Sequence, residues 1–348
     1  MATSNIPSEI IEIILSKLSS VKSLLRFKAV SKSWNTIISD PLFIQNHLQS
    51  SNSSPNNLFL SRNTNSTDRG FPLIKFEGPK TKPGEMFVEN IPNGYSVILF
   101  ECNGVLLLTS LSDRDRRNNR KYALWNPSTR WERHLETRYK DHVVDRGICY
   151  DKITGDFKVV FIYTTEYAIY SCKYNYWRKK KLGKKCYGAG DTGSGICIDG
   201  DTTYWILEES AKMQLVYFDS RIDEIKVLQK PEQLSEDDKY VSSYNMACLR
   251  GSLCLYCYNK DEKSVQMWIK EKGIHTWEKV ITIGNIENLY LWSTQLCFVE
   301  VENKATNYSP TEKAVEKLVG IDIYRGRYVP YRNSLYFPTG VKTKTIKA

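Results

Sequence analysis

Three runs of residues have types and spacings that invite chemistry. Gly188-Ala189-Gly190-Asp191-Thr192-Gly193 satisfies GxGxxG, the turn that lays a pyrophosphate on the N-terminus of the helix it opens. Here it follows a lysine-rich turn and leads into a strand-like GICID, so the helix that would hold the phosphates is missing. Asp191-Thr192-Gly193-Ser194 offers the carboxylate of an acid protease, but that chemistry needs two carboxylates sharing a proton, and no second such run exists. Cys254 and Cys257 have zinc-ligand spacing, yet an odd offset on a strand turns the two thiols to opposite faces, with no second Cys or His pair nearby. The histidines, His47, His134, His142 and His275, are scattered and form no nucleophile elbow or metal-binding pair. No catalytic residue, cofactor or metal is therefore assigned, and the chain is expected to be no enzyme. A catalytic β protein would need a metal or substrate at its centre.

Charge and composition narrow the remaining classes. The chain has 348 residues, 41% of them hydrophobic, and a formal net charge of +10. That length fits one small module and one large β domain. The basic residues gather at Arg114, Arg116, Arg117, Arg120 and Lys121, at Arg178 to Lys181 with Lys184 and Lys185, and at Lys342, Lys344 and Lys347. Such clusters suit an acidic protein target or nucleic-acid phosphates. No RNP-like, zinc-finger or helix-turn-helix signature supports nucleic acid. The N-terminus lacks a basic segment with an unbroken apolar run, and no apolar stretch reaches the roughly 18 residues of a membrane span. Nine scattered cysteines suit reduced core thiols. The expectation is a soluble, unsecreted chain of the cytoplasm and/or nucleus, with no membrane contact.

The elements that would position a function begin in residues 5 to 48. Pro7 stands where a first helical residue belongs, and Ile10, Ile11, Ile14, Leu15 and Leu18 follow at helical spacing, with Glu9, Glu12 and Lys17 on a polar face. Val21, Leu24 and Leu25 form a second stripe. It breaks at Val30 and Ser31, where the serine is placed to cap a third helix carrying Trp34, Ile37 and Ile38. Asp40 and Pro41 open a fourth helix with Ile44 and Leu48. About forty residues bury too little surface to be stable alone, so the module must dock on a partner or on the rest of its own chain.

Residues 49–57 are almost all Ser, Asn and Pro, a linker composition. Beyond them the pattern is short β-rich runs. Glycines in hairpin contexts recur at Gly104, Gly155, Gly200 and Gly251, at intervals of 45 to 51 residues. A second landmark, a large apolar residue before a charged one, recurs at Trp131, Trp177, Ile225 and Trp277, at intervals of 46 to 52. Two landmarks drifting together predict one four-stranded unit repeated. The expected fold is a small all-α module followed by an all-β domain, a six-bladed β-propeller, with the tryptophans packed between neighbouring sheets.

The run from Ile6 to Phe43, IPSEIIEIILSKLSSVKSLLRFKAVSKSWNTIISDPLF, resembles the F-box of the large plant F-box family. Two departures stand out: Ile6 replaces the usual Leu before Pro7, and Ser19-Ser20 stand where one Pro commonly precedes VKS. Further on, LWNPSTR (124–130), GICYDKITGDFKVV (147–160), YSCKYNYWRK (170–179), VYFDSRIDEIKVL (216–228), LRGSLCL (249–255), VQMWIKEKGIHTWEKV (265–280) and SLYFP (334–338) are similar to the plant F-box-associated interaction domain, which is kelch-like.

The resemblance implies a helical F-box module over 1–48, a linker over 49–57, a propeller-like target-binding domain over 58–340 and a basic tail over 341–348. It implies that the chain is a substrate receptor of a Skp-cullin-F-box ubiquitin ligase, joining a Skp-type adaptor, and through it a cullin, to a target protein marked for degradation. Adaptor contacts or bundle packing would fall to Ile6, Pro7, Ile10, Ile11, Ile14, Leu15, Leu18, Leu24, Leu25, Val30, Trp34, Ile37, Ile38 and Pro41. The target-binding residues are not assigned by the sequence. The competing reading is a β protein that binds protein or nucleic acid without a ligase role, its helices a cap on its own domain.

Overall fold

The computed structural model of the chain describes residues 6–50, 58–61, 70–75, 86–110, 120–136, 142–188, 195–210, 212–232, 234, 244–249, 252–259, 264–271, 276–283, 288–291, 297–301, 304–309, 314–317 and 328–336. Residues 189–193 of the glycine-rich run, Gly251, Arg114, Arg116, Arg117, His275 and the tail lysines lie outside them.

Four helices come first: α1 (Ser8–Ser16), α2 (Val21–Phe27), α3 (Lys32–Ser39) and α4 (Pro41–Ser50). Each starts where a side chain or a proline removes a free amide. Pro7 supplies a fixed φ before α1. The Ser20 hydroxyl accepts from the Ser23 amide, and that of Ser31 from the Trp34 amide at 3.2 Å. An Asp40 carboxylate oxygen accepts from the amides of Leu42 and Phe43, at 2.8 and 3.1 Å. The Ser19-Ser20 departure thus has a physical role: where a proline would stiffen the turn, Ser20 caps α2.

Six antiparallel sheets follow. The first holds β1 (Leu58–Ser61), β2 (Phe71–Lys75) and β3 (Met86–Val88). The second is β4 (Val97–Cys102), β5 (Val105–Thr109), β6 (Tyr122–Asn126) and β7 (Trp131–Leu135). The third is β8 (Asp145–Asp151), β9 (Asp156–Ile162), β10 (Glu166–Ser171) and β11 (Tyr176–Lys181). In the fourth, β12 (Tyr187–Gly188) and β13 (Ile196–Ile198) both pair with β14 (Thr202–Glu209), followed by β15 (Lys212–Asp219) and β16 (Glu224–Leu228). The fifth is β17 (Tyr244–Leu249), β18 (Ser252–Asn259), β19 (Ser264–Lys270) and β20 (Glu278–Ile283). The sixth is β21 (Asn288–Leu291), β22 (Cys297–Val301), β23 (Lys304–Ser309) and β24 (Ala314–Lys317). A last strand, β25 (Tyr328–Pro330), returns to pair with β1, setting Leu60 opposite Val329.

The expectation of a six-bladed β-propeller is corrected by these sheets. All are open antiparallel ribbons, none among the described residues curls or closes into a barrel, and the fourth has five strands where the repeat predicts four. The structure supports a four-helix module followed by a series of open antiparallel sheets. A period near fifty residues measures how much chain is spent on each sheet; it carries no information on how the sheets are arranged around one another.

Strand alternation builds the core. On the third sheet Ile148, Phe157, Val159, Phe161 and Ala168 share a buried cluster with Val105, Leu107 and Leu124 of the second. The alternate residues Cys149, Val160, Ile162 and Ile169 pack with Trp205, Leu207, Val216 and Phe218 of the fourth. Both faces are covered, so β8 and β9 are buried at every position, their charged residues Asp145, Arg146, Asp151, Asp156 and Lys158 included. Asn103 (φ 52°) and Gly104 (φ 80°) form the two-residue β4–β5 turn, in the left-handed backbone such hairpins require.

Candidate functional site

Helix α1 carries apolar residues on two sides. At about 100° per residue, Ile11 and Leu15 share one side and Ile10, Ile13 and Ile14 another; Leu18, just past the helix, falls in with the first, and Ile6, just before it, with the second. The first side turns inward: Leu15 is fully buried, and Ile11 and Leu18 pack against the same buried cluster. The second faces outward, its four isoleucines 46% to 56% exposed, with Val30 and Leu42 exposed to a similar degree.

The fourteen sequence-predicted residues divide accordingly. Ile6, Pro7, Ile10, Ile14, Val30 and Pro41 are exposed. Ile11, Leu18, Leu25, Trp34 and Ile37 are half-buried, with Trp34 edge-on to Phe27 at 5.4 Å between ring centres. Leu15, Leu24 and Ile38 are fully buried. The buried ones share a continuous cluster with Leu99, Leu107 and Phe161 of the sheets, so the inner side of the module is covered from within the chain. Burial of His47, whose Nε2 meets the Leu18 carbonyl oxygen at 2.8 Å, ties α4 to the end of α1.

Sequence reasoning missed Ile13 and Leu42. The signal was present: Ile13 stands three residues after Ile10 and seven after Ile6, on the outer stripe. It was passed over because one stripe was drawn through residues that belong to two opposed ones.

The residues tested for chemistry are placed elsewhere. Cys254 and Cys257 sit three apart on β18, Cys257 packing against the cluster between the fourth and fifth sheets. Nδ1 of His134 meets the Tyr95 hydroxyl at 2.8 Å. Among the described residues no group of three or more His, Cys, Asp or Glu is placed to hold a metal ion, and no helix is long and apolar enough to cross a membrane.

A family model for the F-box associated beta propeller domain matches residues 31–325, and an F-box-like model matches residues 3–49. The chain belongs to the F-box-associated domain family. Its architecture, an F-box followed by an F-box-associated domain, is that of plant F-box/kelch proteins. It is 27% identical over 317 residues to the F-box/kelch-repeat protein At3g23880 of Arabidopsis thaliana, covering 83% of this chain and 82% of that one. It is 25% identical over 336 residues to the F-box protein CPR1 of the same plant, covering 81% and 73%. A chain of a nidogen/laminin complex superposes with a TM-score of 0.49 at 10% identity, over 78% of this chain and 96% of that one, too loose a likeness to define the fold. F-box modules are non-catalytic adaptors, and the F-box of this protein implies engagement with a Skp-type adaptor and cullin complex in general.

Proposed function

We propose that this F-box protein is a substrate-receptor subunit of a Skp-cullin-F-box ubiquitin ligase. The carrying observation is the outward stripe of Ile6, Ile10, Ile13 and Ile14. The module already buries Leu15, Leu24 and Ile38 within its own chain, so intramolecular packing leaves this stripe unexplained. Each large aliphatic side chain contributes about 1.5 to 3 kcal/mol on full burial, enough in sum to offset the cost of association. The Skp-type adaptor would seat on the stripe, with Val30 and Leu42 extending the contact.

In this reading the sheets from residue 58 to 340 hold a target protein, and the receptor breaks no bond. It raises the effective concentration of target lysines near a charged ubiquitin carrier. The surplus of basic side chains favours an acidic target, in the cytoplasm and/or nucleus. Helices that merely cap their own domain would have no reason to leave four isoleucines facing water.

The test is co-purification with a plant Skp-type adaptor, beside an Ile10→Asp, Ile14→Asp double variant. Stoichiometric capture by the parent, lost in a variant of unchanged melting temperature, supports the receptor role. Equal capture by both would remove α1 from the interface.

A further inference from the structure

Three turns stand together at one end of the third and fourth sheets: residues 152–155 between β8 and β9, 172–175 between β10 and β11, and 220–223 between β15 and β16. Nζ of Lys173 donates to the Thr154 carbonyl oxygen at 2.8 Å and joins the first two. The third leans on the face of β11 that carries Tyr176, Arg178 and Lys180. Arg178 pairs with Asp223, and Nζ of Lys180 donates to the Ile222 carbonyl oxygen at 3.3 Å. The turns are also pinned from beneath. Asp156 accepts from the Lys173 amide at 2.7 Å, and buried Lys158 donates to the Ser220 carbonyl oxygen at 2.6 Å and to Asp223 at 2.7 Å. Held this way, Ile153, Tyr174, Tyr176 and Ile222 face outward, 46% to 76% exposed, with the two tyrosine rings 6.2 Å apart. A single exposed apolar residue is ordinary, whereas four on linked segments form a patch. Charge at this end is layered. Carboxylates lie underneath, Asp219 5% and Asp223 16% exposed, and the cations paired with them stand outside, Arg221 at 69% and Arg178 at 43%. Exposed Lys173 directs its ammonium at the Thr154 carbonyl and, at 5.7 Å, the Tyr174 ring.

We propose that this patch is where the receptor grips its target, and that the segment it grips is acidic with aromatic or aliphatic anchors. The assignment rests on the receptor reading above. Tyrosine and arginine are enriched at the energetic centres of protein interfaces, tyrosine because it offers large contact area at low entropic cost. The turns are already fixed by the bonds beneath them, so little ordering opposes association. An approaching charge comes nearer to the outer guanidinium groups than to the carboxylates below, and the Lys173 ammonium has its contacts with a carbonyl and a ring. Carboxylates are therefore attracted at short range and a basic segment is repelled. Ile153, Tyr174, Tyr176 and Ile222 then supply the apolar contacts that the anchors bury against.

The test pans a random peptide library on the full chain, then titrates synthetic copies of the enriched peptides against the parent and four variants of unchanged melting temperature. The expected peptides carry net negative charge with an aromatic or aliphatic residue. Their affinity should fall by about tenfold or more in Tyr174→Ala, Lys173→Glu and Ile222→Asp. It should hold in Val227→Asp, an exposed position on β16 outside the turns. Neutral or basic enriched peptides, no enrichment at all, or affinity retained in the three patch variants would overturn the proposal. So would a mixed-sequence RNA that displaces the peptides and loses its own binding in Lys173→Glu, because the patch would then be a nucleic-acid surface. Adaptor capture by the same proteins separates the two readings. Capture intact without peptide binding sinks this surface alone, whereas no capture by the parent removes the receptor role and with it the claim that the partner is a ligase target.

Discussion

The indole N–H of Trp177, on the outermost strand of the third sheet, donates to the backbone carbonyl of Glu136, just past the outermost strand of the second, at 3.0 Å. The same relationship recurs between Trp277 and Gln229, at 2.7 Å, where the fifth sheet meets the fourth. Two of the landmark tryptophans of the repeat, Trp177 and Trp277, therefore act as rivets between consecutive sheets. Trp177 also packs on Phe161 and Tyr170 of its own sheet, with ring centres 5.1 Å apart in both cases. Replacing Trp177 by Phe keeps most of the ring contact and removes the donor. Stability should fall by about 1 kcal/mol, the net worth of one such hydrogen bond, read as a lower denaturant midpoint with an unchanged slope.

The two sides of α1 should separate binding from stability. Ile10→Asp with Ile14→Asp alters an exposed surface and should change unfolding free energy by no more than about 0.5 kcal/mol per site, while adaptor capture is lost. Leu15→Ala, at the fully buried position on the inner side of α1, should cost about 2 to 5 kcal/mol. If the buried change leaves thermal unfolding of the helices untouched, the assignment of inner and outer faces is wrong.

The caps make a finer prediction. Ser31→Ala strips the acceptor from the Trp34 amide and should destabilise the module by about 1 kcal/mol, whereas Ser31→Asp should restore most of the loss. Hydrogen exchange of the first turn of α3 would report it directly.

Acid stability should depend on Asp219. Its carboxylate receives both Nε and Nη2 of Arg221, at 3.1 and 3.0 Å, and Nζ of Lys226 at 2.9 Å. Hydrogen bonding from Arg221, with a further contribution from Lys226, holds its carboxyl far below the ordinary carboxylate range. A depressed folded value stabilises the native state above the unfolded value of about 3.9 and loses that contribution as pH falls below it. Asp219→Asn should therefore lower stability at pH 7 and flatten its decline between about pH 5 and pH 2. A parallel decline in both proteins would show that the carboxylate contributes nothing.

Gly200 should tolerate no side chain. Its φ of 70° disfavours L residues, and the Asn103 side chain already fills the space of a Cβ. Gly200→Ala should destabilise the chain by more than the usual 1 kcal/mol of an unfavourable glycine replacement, with Asn103→Ala relieving part of the loss.

Much of this was legible in the residues because local chemistry decided it. Ser31 and Asp40 marked helix starts by their hydroxyl and carboxylate acceptors, and Gly104 and Gly200 marked turns by their backbone freedom. The landmarks Trp131, Trp177, Ile225 and Trp277 fall at or beside the start of the last strand in the second to fifth sheets. The sheet arrangement was not legible, because strand alternation and spacing are satisfied equally by several ways of stacking open sheets. The division of α1 was missed for a related reason: hydrophobicity alone does not separate an isoleucine facing the core from one facing water. Only the placement of Leu15 at one side and Ile10 at the other does that.

The pairing of Leu60 with Val329 sets a clock on biosynthesis. Strand β1 emerges from the ribosome early, yet its partner β25 is made some 270 residues later. Throughout that interval the outer edge of β1 has open backbone amides and carbonyls, a ready template for another chain. A message cut short anywhere before Tyr328 would leave that edge permanently unpaired. Truncated products should thus be prone to aggregate even when the F-box and the middle sheets are intact.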